Sequence, residues 1–277
     1  MISILEDIDV KEARLRQIVR DLGSCIVAFS GGVDSALVLR VAMQELGERA
    51  LGVTAKSESL AARELLSVTD FARELDVAHE FVQTNELANP DYAANPANRC
   101  YHCKHELYDK LTDLAKVRGF AYVVDGFNTD DAGDWRPGRK AAGEYAVRSP
   151  LAEAGFAKRD VRALAKKLDL AVWDKPALAC LSSRFPYGTP ITLELLMQVD
   201  RAEEAVLAAG IRECRVRHHG DVARIEVPSD AIAQLAQPEI RERVLAGVLA
   251  AGYRYAALDL GGYVSGNLNK ALDGQSR

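Results

Sequence analysis

The chain has 277 residues, 48% of them hydrophobic, with 35 Lys and Arg against 40 Asp and Glu for a net charge of −5. That length supports a full core in one large or two modest domains, and the acidic balance argues against tight non-specific nucleic-acid binding, which needs a basic surface. The N-terminus lacks the basic and apolar regions of a signal peptide, and no apolar run approaches the ~18 residues of a membrane span, so a cytoplasmic protein with neither a membrane nor a nucleic-acid partner is expected.

Residues 9–22 place Val10, Leu15, Ile18, Val19 and Leu22 at helical spacing among charges, which predicts an amphipathic helix. The apolar run at 25–29 is too short for a helix and reads as a buried strand. A Ser/Gly turn follows, then a helix over 35–46. Strands are predicted at 51–55, 79–82 and 121–126, and helices at 59–75, 101–118 and 157–168. Residues 128–144 read as a loop rich in Asp, Gly and Arg, closed by 147–151. Strands alternating with helices imply an α/β fold, a parallel sheet covered by helices on both faces. Ligands of such sheets sit at the carboxyl ends of the strands.

Pro186, Gly188 and Pro190 interrupt the pattern and suggest a boundary, with one domain over 1–185 and a smaller α+β domain over 186–277. The second should hold a helix over 192–209 capped by Thr192. A hairpin follows, from 212–217 and 222–227 around the polar turn at 218–221. Helices near 229–236 and 238–251 and a strand near 255–258 complete it. From Gly261 onward a loop is expected.

Ser30, Gly31, Gly32, Val33, Asp34 and Ser35 lie between a predicted buried strand and a predicted helix. Glycines let a backbone approach phosphate oxygens, and the following helix offers unpaired N–H groups and partial positive charge to an anion. Ser30 and Ser35 add hydroxyl donors, and Asp34 suits Mg²⁺. The plainer reading is a tight turn with a Ser cap. The Gly-Lys-[Ser/Thr] ending of a Walker loop and the G-x-G-x-x-G spacing are both missing. Asp125 and Asn128 follow a strand and should reach the same sheet edge, where carboxylates suit Mg²⁺. An Asn/Asp-rich turn is the alternative there.

The five cysteines are odd in number in a chain of ordinary size, so no disulfide framework is expected. Cys100 and Cys103 form a C-x-x-C at a helix start, where thiols lie about one turn apart and thiolates are favoured. A redox motif, half a zinc site and chance all remain open. Cys180 precedes the domain boundary and is either functional or a small core residue. Cys25 and Cys214 read as core. Arg215 and Arg217 share a strand face and suit bidentate capture of phosphate or carboxylate, as does Arg184 beside Cys180. A solvated sheet face is the alternative.

The loop Ser30–Ser35 resembles that of the PP-loop, or N-type ATP pyrophosphatase, superfamily. The segment Asp125-Gly126-Phe127-Asn128-Thr129-Asp130-Asp131 resembles its Asp-Gly-Thr-Asn-x-Asp-Asp, departing at Phe127, and residues 133–139 resemble its active-site loop. Lys175-Pro176 with Cys180-Leu181-Ser182-Ser183-Arg184, then Pro186-Tyr187-Gly188, resembles the LarE-type sulfur transferases, which act in nickel-pincer cofactor biosynthesis. Residues 258–266 carry the likeness to the C-terminal end. This resemblance implies ATP cleavage between the α- and β-phosphates, adenylation of a carboxylate on a small-molecule nucleotide, a pyridinium dicarboxylate mononucleotide, and displacement of AMP by sulfur. It implies a homo-oligomer, a separate sulfur donor, and a substrate-binding place for Glu203, Arg184, Arg215 and Arg217. In one branch the cysteine matching Cys180 gives up its own sulfur. In another, three cysteines hold a [4Fe-4S] cluster carrying an extra sulfur. Cys100, Cys103 and Cys180 together fit the second branch. Sacrifice of Cys180, a tRNA-thiolating enzyme and a non-catalytic iron–sulfur or zinc scaffold remain as alternatives.

Overall fold

The first helix, α1 (Ile2–Leu22), starts earlier than the apolar periodicity suggests. It buries Ile8, Leu15, Val19 and Leu22 and leaves Val10 exposed, because Val10 lies two ~100° steps round the helix from Ile8. In this computed structural model residues 2–133, 137–176, 179–264 and 267 are described. The expected active-site loop is therefore covered only at 133 and 137–139, and 177–178, 265 and 266 lie outside the described residues. The chain divides into two units, Met1–Ser57 with Arg63–Glu86 and Asn98–Leu178, and Glu58–Ala62 with Leu87–Ala97 and Ala179–Arg277.

The first unit continues with β1 (Cys25–Ala28), α2 (Val33–Leu46), β2 (Ala50–Lys56), α3 (Ala62–Glu74) and β3 (His79–Gln83). The short α4 (Pro90–Ala93) belongs to the second unit. Then come α5 (Arg99–Arg118), β4 (Tyr122–Val124), α6 (Gly138–Glu144), α7 (Pro150–Glu153) and α8 (Lys158–Lys167). The four strands form one sheet in the order β3-β2-β1-β4, and every pair is parallel. Alternation along β1 decides what each face packs against. Cys25 and Val27 join Leu15, Val19, Leu37, Val41, Val161 and Leu164 of α1, α2 and α8. Ile26 and Ala28 join Leu107, Leu111 and Ala141 of α5 and α6. This is the parallel α/β sheet, covered on both faces, that the alternation of elements predicts.

The segment read as a loop over 128–144 departs from expectation. Within the predicted loop, a 3₁₀ turn (Asp130–Gly133) precedes α6. Gly138 and Gly143 lower its intrinsic helix propensity, but Ala141 and Ala142 are buried against α5 and the sheet. Tertiary burial, not local preference, makes this helix.

In the second unit, α9 (Leu193–Ala208) starts at Thr192, whose side chain accepts from Leu195 N at 3.3 Å as expected of a cap. β5 (Arg215–His219) and β6 (Val222–Glu226) pair antiparallel. The turn is tighter than predicted: His218 and His219 lie in the strand and Gly220 and Asp221 make the turn. After α10 (Ile232–Leu235) and α11 (Pro238–Ala250), β7 (Tyr255–Leu258) adds parallel to β6. Leu196, Val199 and Val206 of α9 pack with Val216, Ala223, Ile225 and Val248, so the unit is α+β as expected.

Candidate active site

At the carboxyl end of β1 the chain turns through Ser30–Ser35 into α2. Gly31 takes φ +78°, the left-handed region in which glycine is unstrained. The two hydroxyls define the turn: Ser35 Oγ accepts from Ser30 N at 3.1 Å, donates to Gly32 O at 3.1 Å, and lies 3.1 Å from Ser30 Oγ. No side chain caps α2 at Gly32. The first-turn N–H groups of such a helix have no partner within the helix and suit an anion.

The expected second stretch meets this loop. Gly126 packs so closely on α2 that an added Cβ would sit 2.6 Å from Ser35 N. Asn128 Nδ2 donates to Asp34 Oδ1 at 3.2 Å. Asp125 is buried, and its oxygens accept from Ser149 Oγ (2.7 Å), Phe127 N (3.1 Å) and Tyr108 Oη (3.1 Å). Burial pushes the Tyr108 phenol up to about 12, so it keeps the proton it donates. Asp125 thus holds the loop backbone, while Asp34 is the half-exposed carboxylate of the pair.

Two lysines that the sequence reading did not assign reach the same loop. Lys158, first residue of α8, donates to Asp34 Oδ2. Lys175 Nζ donates to Glu64 Oε2 at 2.9 Å and Ser67 Oγ at 2.8 Å, and lies 3.5 Å from Gly31 O. Lys175 opens the motif around Cys180, which was the one signal available for it. Lys158 carried none beyond its place at a helix start.

None of the five cysteines is in a disulfide. Cys25 and Cys214 are buried as expected, and burial pushes the Cys25 thiol up to about 12, which keeps it protonated and inert. Cys100 is exposed and Cys103 half-buried in the first turns of α5, in the first unit. Cys103 Sγ donates to Glu86 Oε1 at 3.6 Å, and burial raises the carboxyl pKa of Glu86. Cys180 is exposed and belongs to the second unit. Among the described residues no group of three or more His, Cys, Asp or Glu side chains is placed to hold a metal ion.

Arg184, Arg215 and Arg217 of the second unit are buried and do not form a solvated face. Arg184 and Glu203 are 1% and 0% exposed and meet side-on, Nε to Oε1 at 2.7 Å and Nη2 to Oε2 at 3.0 Å. Burial opposes the charge on Arg184 and Glu203 outweighs it, so the arginine's pKa is raised. Arg217 is buried against Glu226 (2.6 and 2.9 Å) and donates to Ser183 O at 2.9 Å. Arg215 donates to Cys214 O at 2.7 Å and lies over the Tyr263 ring. The four residues read as ligand contacts are therefore each engaged within the protein, Arg184 and Glu203 with each other.

No family model matches the chain. The pyridinium-3,5-bisthiocarboxylic acid mononucleotide synthase of Lactiplantibacillus plantarum is 40% identical to it over 263 residues, covering 95% of either chain. The chain belongs to the LarE family. As a LarE-family member it is a PP-loop enzyme of the sulfurtransferase class. An uncharacterized protein of Synechocystis sp. is 48% identical over 265 residues, 96% of this chain and 99% of its own length. An uncharacterized protein of Methanocaldococcus jannaschii is 29% identical over 205 residues, 74% of this chain and 78% of its own. The LarE-type motifs quoted above thus sit within a similarity that runs almost end to end.

Proposed function

We propose that this enzyme uses ATP to convert a carboxylate of pyridinium-3,5-biscarboxylic acid mononucleotide into a thiocarboxylate. The observation that carries ATP use is the loop itself: two hydroxyls at the head of α2, where first-turn N–H groups have no partner within the helix, with Lys158 and Lys175 in contact with its residues. The product named for the L. plantarum relative supports the choice of acceptor.

The substrate carboxylate attacks the α-phosphorus and pyrophosphate leaves, giving an acyl adenylate. Ser30–Ser35 position the β- and γ-phosphates and offset their charge, which is usually the largest catalytic contribution. Asp34, with Asn128 beside it, is the oxygen ligand we assign to the accompanying Mg²⁺. A sulfur nucleophile then attacks the acyl carbon, the C–O bond to AMP breaks, and thiocarboxylate and AMP are released. Arg215 is the basic group we assign to the anionic substrate, since the fork of Arg217 is taken up by Glu226 and Ser183 O. Residues 1–185 act as the ATP pyrophosphatase domain and 186–277 as the substrate and assembly domain. Exposed Leu193, Met197, Leu245 and Leu249 support a homo-oligomer formed through the latter. No helix among the described residues is long and apolar enough to cross a membrane, which agrees with a cytoplasmic place.

For the sulfur carrier, thiol accessibility separates Cys100, Cys103 and Cys180 from buried Cys25 and Cys214. The accessible three are the residues that would hold a [4Fe-4S] cluster, leaving one iron open. The cluster would supply a sulfide-equivalent nucleophile, recharged by a separate donor. A second reading draws on Cys180 being exposed on a loop held by Arg184. Its Sγ attacks the acyl carbon of the adenylate, the C–O bond to AMP breaks and AMP leaves, giving a thioester. Loss of the Cα proton and cleavage of the Cβ–S bond then leave dehydroalanine and release thiocarboxylate.

Anaerobically purified protein incubated with ATP and the mononucleotide should form AMP, pyrophosphate and a product heavier by the exchange of oxygen for sulfur. ATP turnover with no sulfur in the product would overturn the sulfur-transfer reading. Loss of one H₂S from the chain after turnover would select the second route.

A further inference from the structure

Cys180 is exposed, yet backbone atoms on both sides of it are held. Arg184 Nη1 donates to Ala179 O at 2.8 Å, to Cys180 O at 3.0 Å and to Ser183 Oγ at 2.9 Å. Leu181 N donates to Ser59 O at 2.8 Å and Ser183 N to Cys180 O at 3.0 Å. Ser182 Oγ lies 2.7 Å from Tyr92 Oη, and Ser183 O accepts from Arg217 at 2.9 Å. The centre of this arrangement is the Arg184–Glu203 pair. Its two parallel hydrogen bonds fix the plane of the guanidinium, and Glu203 Oε1 is itself held by Val216 N at 3.0 Å.

An arginine that captures a ligand keeps part of its fork open. Arg184 has Nε and Nη2 on Glu203 and Nη1 on the loop, at 1% exposure. Freeing it for a substrate would break a buried, fully hydrogen-bonded pair and leave Glu203 as an uncompensated buried charge, which is strongly unfavourable. Lysine could not do the same, since only a planar fork can grip a carboxylate side-on and still reach carbonyls behind it.

We propose that Arg184 and Glu203 are positioning residues: their buried fork aims Cys180 by gripping its backbone, and they make no contact with the substrate. The proposal rests on Cys180 being a residue through which sulfur passes. It assigns the pair an effect on sulfur transfer and none on adenylation.

The test follows pyrophosphate and thiocarboxylate separately in the full-length enzyme, comparing Arg184→Lys and Glu203→Gln with wild type and Cys180→Ala. Expected is pyrophosphate release with an unchanged KM for the mononucleotide, and thiocarboxylate per pyrophosphate lowered about tenfold or more, as a small misplacement of a reacting group produces. A raised KM with an unchanged product ratio would make Arg184 a substrate contact and overturn the proposal. Wild-type values for both quantities would overturn it equally. If the two variants do not fold, Tyr92→Phe decides, since it releases Ser182 of the same loop and leaves the ion pair whole. A wild-type ratio there refutes positioning by this loop, and a lowered ratio at unchanged KM supports it. Cys180→Ala separates the two layers: a wild-type ratio in it overturns the reading of Cys180 itself. An uncoupled Cys180→Ala beside coupled Arg184 and Glu203 variants overturns the positioning role alone.

Discussion

Lys158 donates to Asp34 across 124 residues of sequence, which places an ammonium at the first turn of α2, the end that faces the phosphate loop. Lys175 stands at Gly31 of the same loop. The loop's own donors are neutral N–H and O–H groups, whereas ATP carries close to four negative charges. Lys158→Ala and Lys175→Ala should each weaken ATP binding about tenfold, equal to ~1.4 kcal/mol. AMP, which lacks the β- and γ-phosphates, should bind almost as in wild type. Titration calorimetry with both nucleotides checks this. Equal losses for ATP and AMP would mean that the lysines only hold the fold.

Gly126 has no room for a methyl group, because the nearest atoms are backbone: Ser35 N at 2.6 Å and Asp34 C at 2.9 Å from an added Cβ. Gly126→Ala should destabilise the first unit by about 1–3 kcal/mol, as overpacking does, and should lower ATP affinity by shifting the first turn of α2. Gly143 of α6 has nothing within 4 Å of an added Cβ. Gly143→Ala should be neutral or stabilising by up to about 1 kcal/mol, from helix propensity. Urea midpoints of the two variants should move in opposite directions, and a shared direction would count against this account.

His218 is buried, with Nδ1 3.1 Å from Tyr253 Oη and its ring against Phe185. Burial, and then neighbouring His219, lower its pKa below the ordinary 6.5. The sign follows from proton uptake. Below about pH 6.5 the unfolded chain gains a proton at this position that the folded chain refuses. Stability is therefore complete above that pH and falls as pH drops toward the lowered folded value. His218→Gln should flatten the dependence of the urea midpoint between about pH 7 and pH 5. An unchanged slope would assign the acid sensitivity elsewhere, for instance to His79 or His219, whose pKa values burial also lowers.

The accessible cysteines should separate from the buried ones in iron content. Anaerobic protein holding a [4Fe-4S] cluster carries about four irons per chain. Cys100→Ser, Cys103→Ser and Cys180→Ser should each lose most of it, whereas Cys25→Ala and Cys214→Ala should keep it. Iron-free wild-type protein that still forms thiocarboxylate would remove the cluster and leave the sacrificial route through Cys180.

What the sequence alone determined is local. The strand-to-helix turn at 30–35 was legible because glycine, serine and the flanking apolar run specify it within a few residues. Thr192 was legible as a cap because a cap bonds a backbone N–H three positions on. The parallel sheet followed from short apolar runs alternating with segments of helical period. The tertiary structure decided what depends on partners far along the chain. Helix α6 has weak propensity and exists because Ala141 and Ala142 find cover. Lys158 and Lys175 become part of the loop's surroundings only because α8 and the segment after it pack beside α2, 124 and 144 residues from their partners. Arg184, read as an open anion contact, is closed by Glu203 at 0% exposure. Residue type states which hydrogen bonds a side chain can make, but only folding selects which partner arrives, and burial then makes that choice costly to reverse.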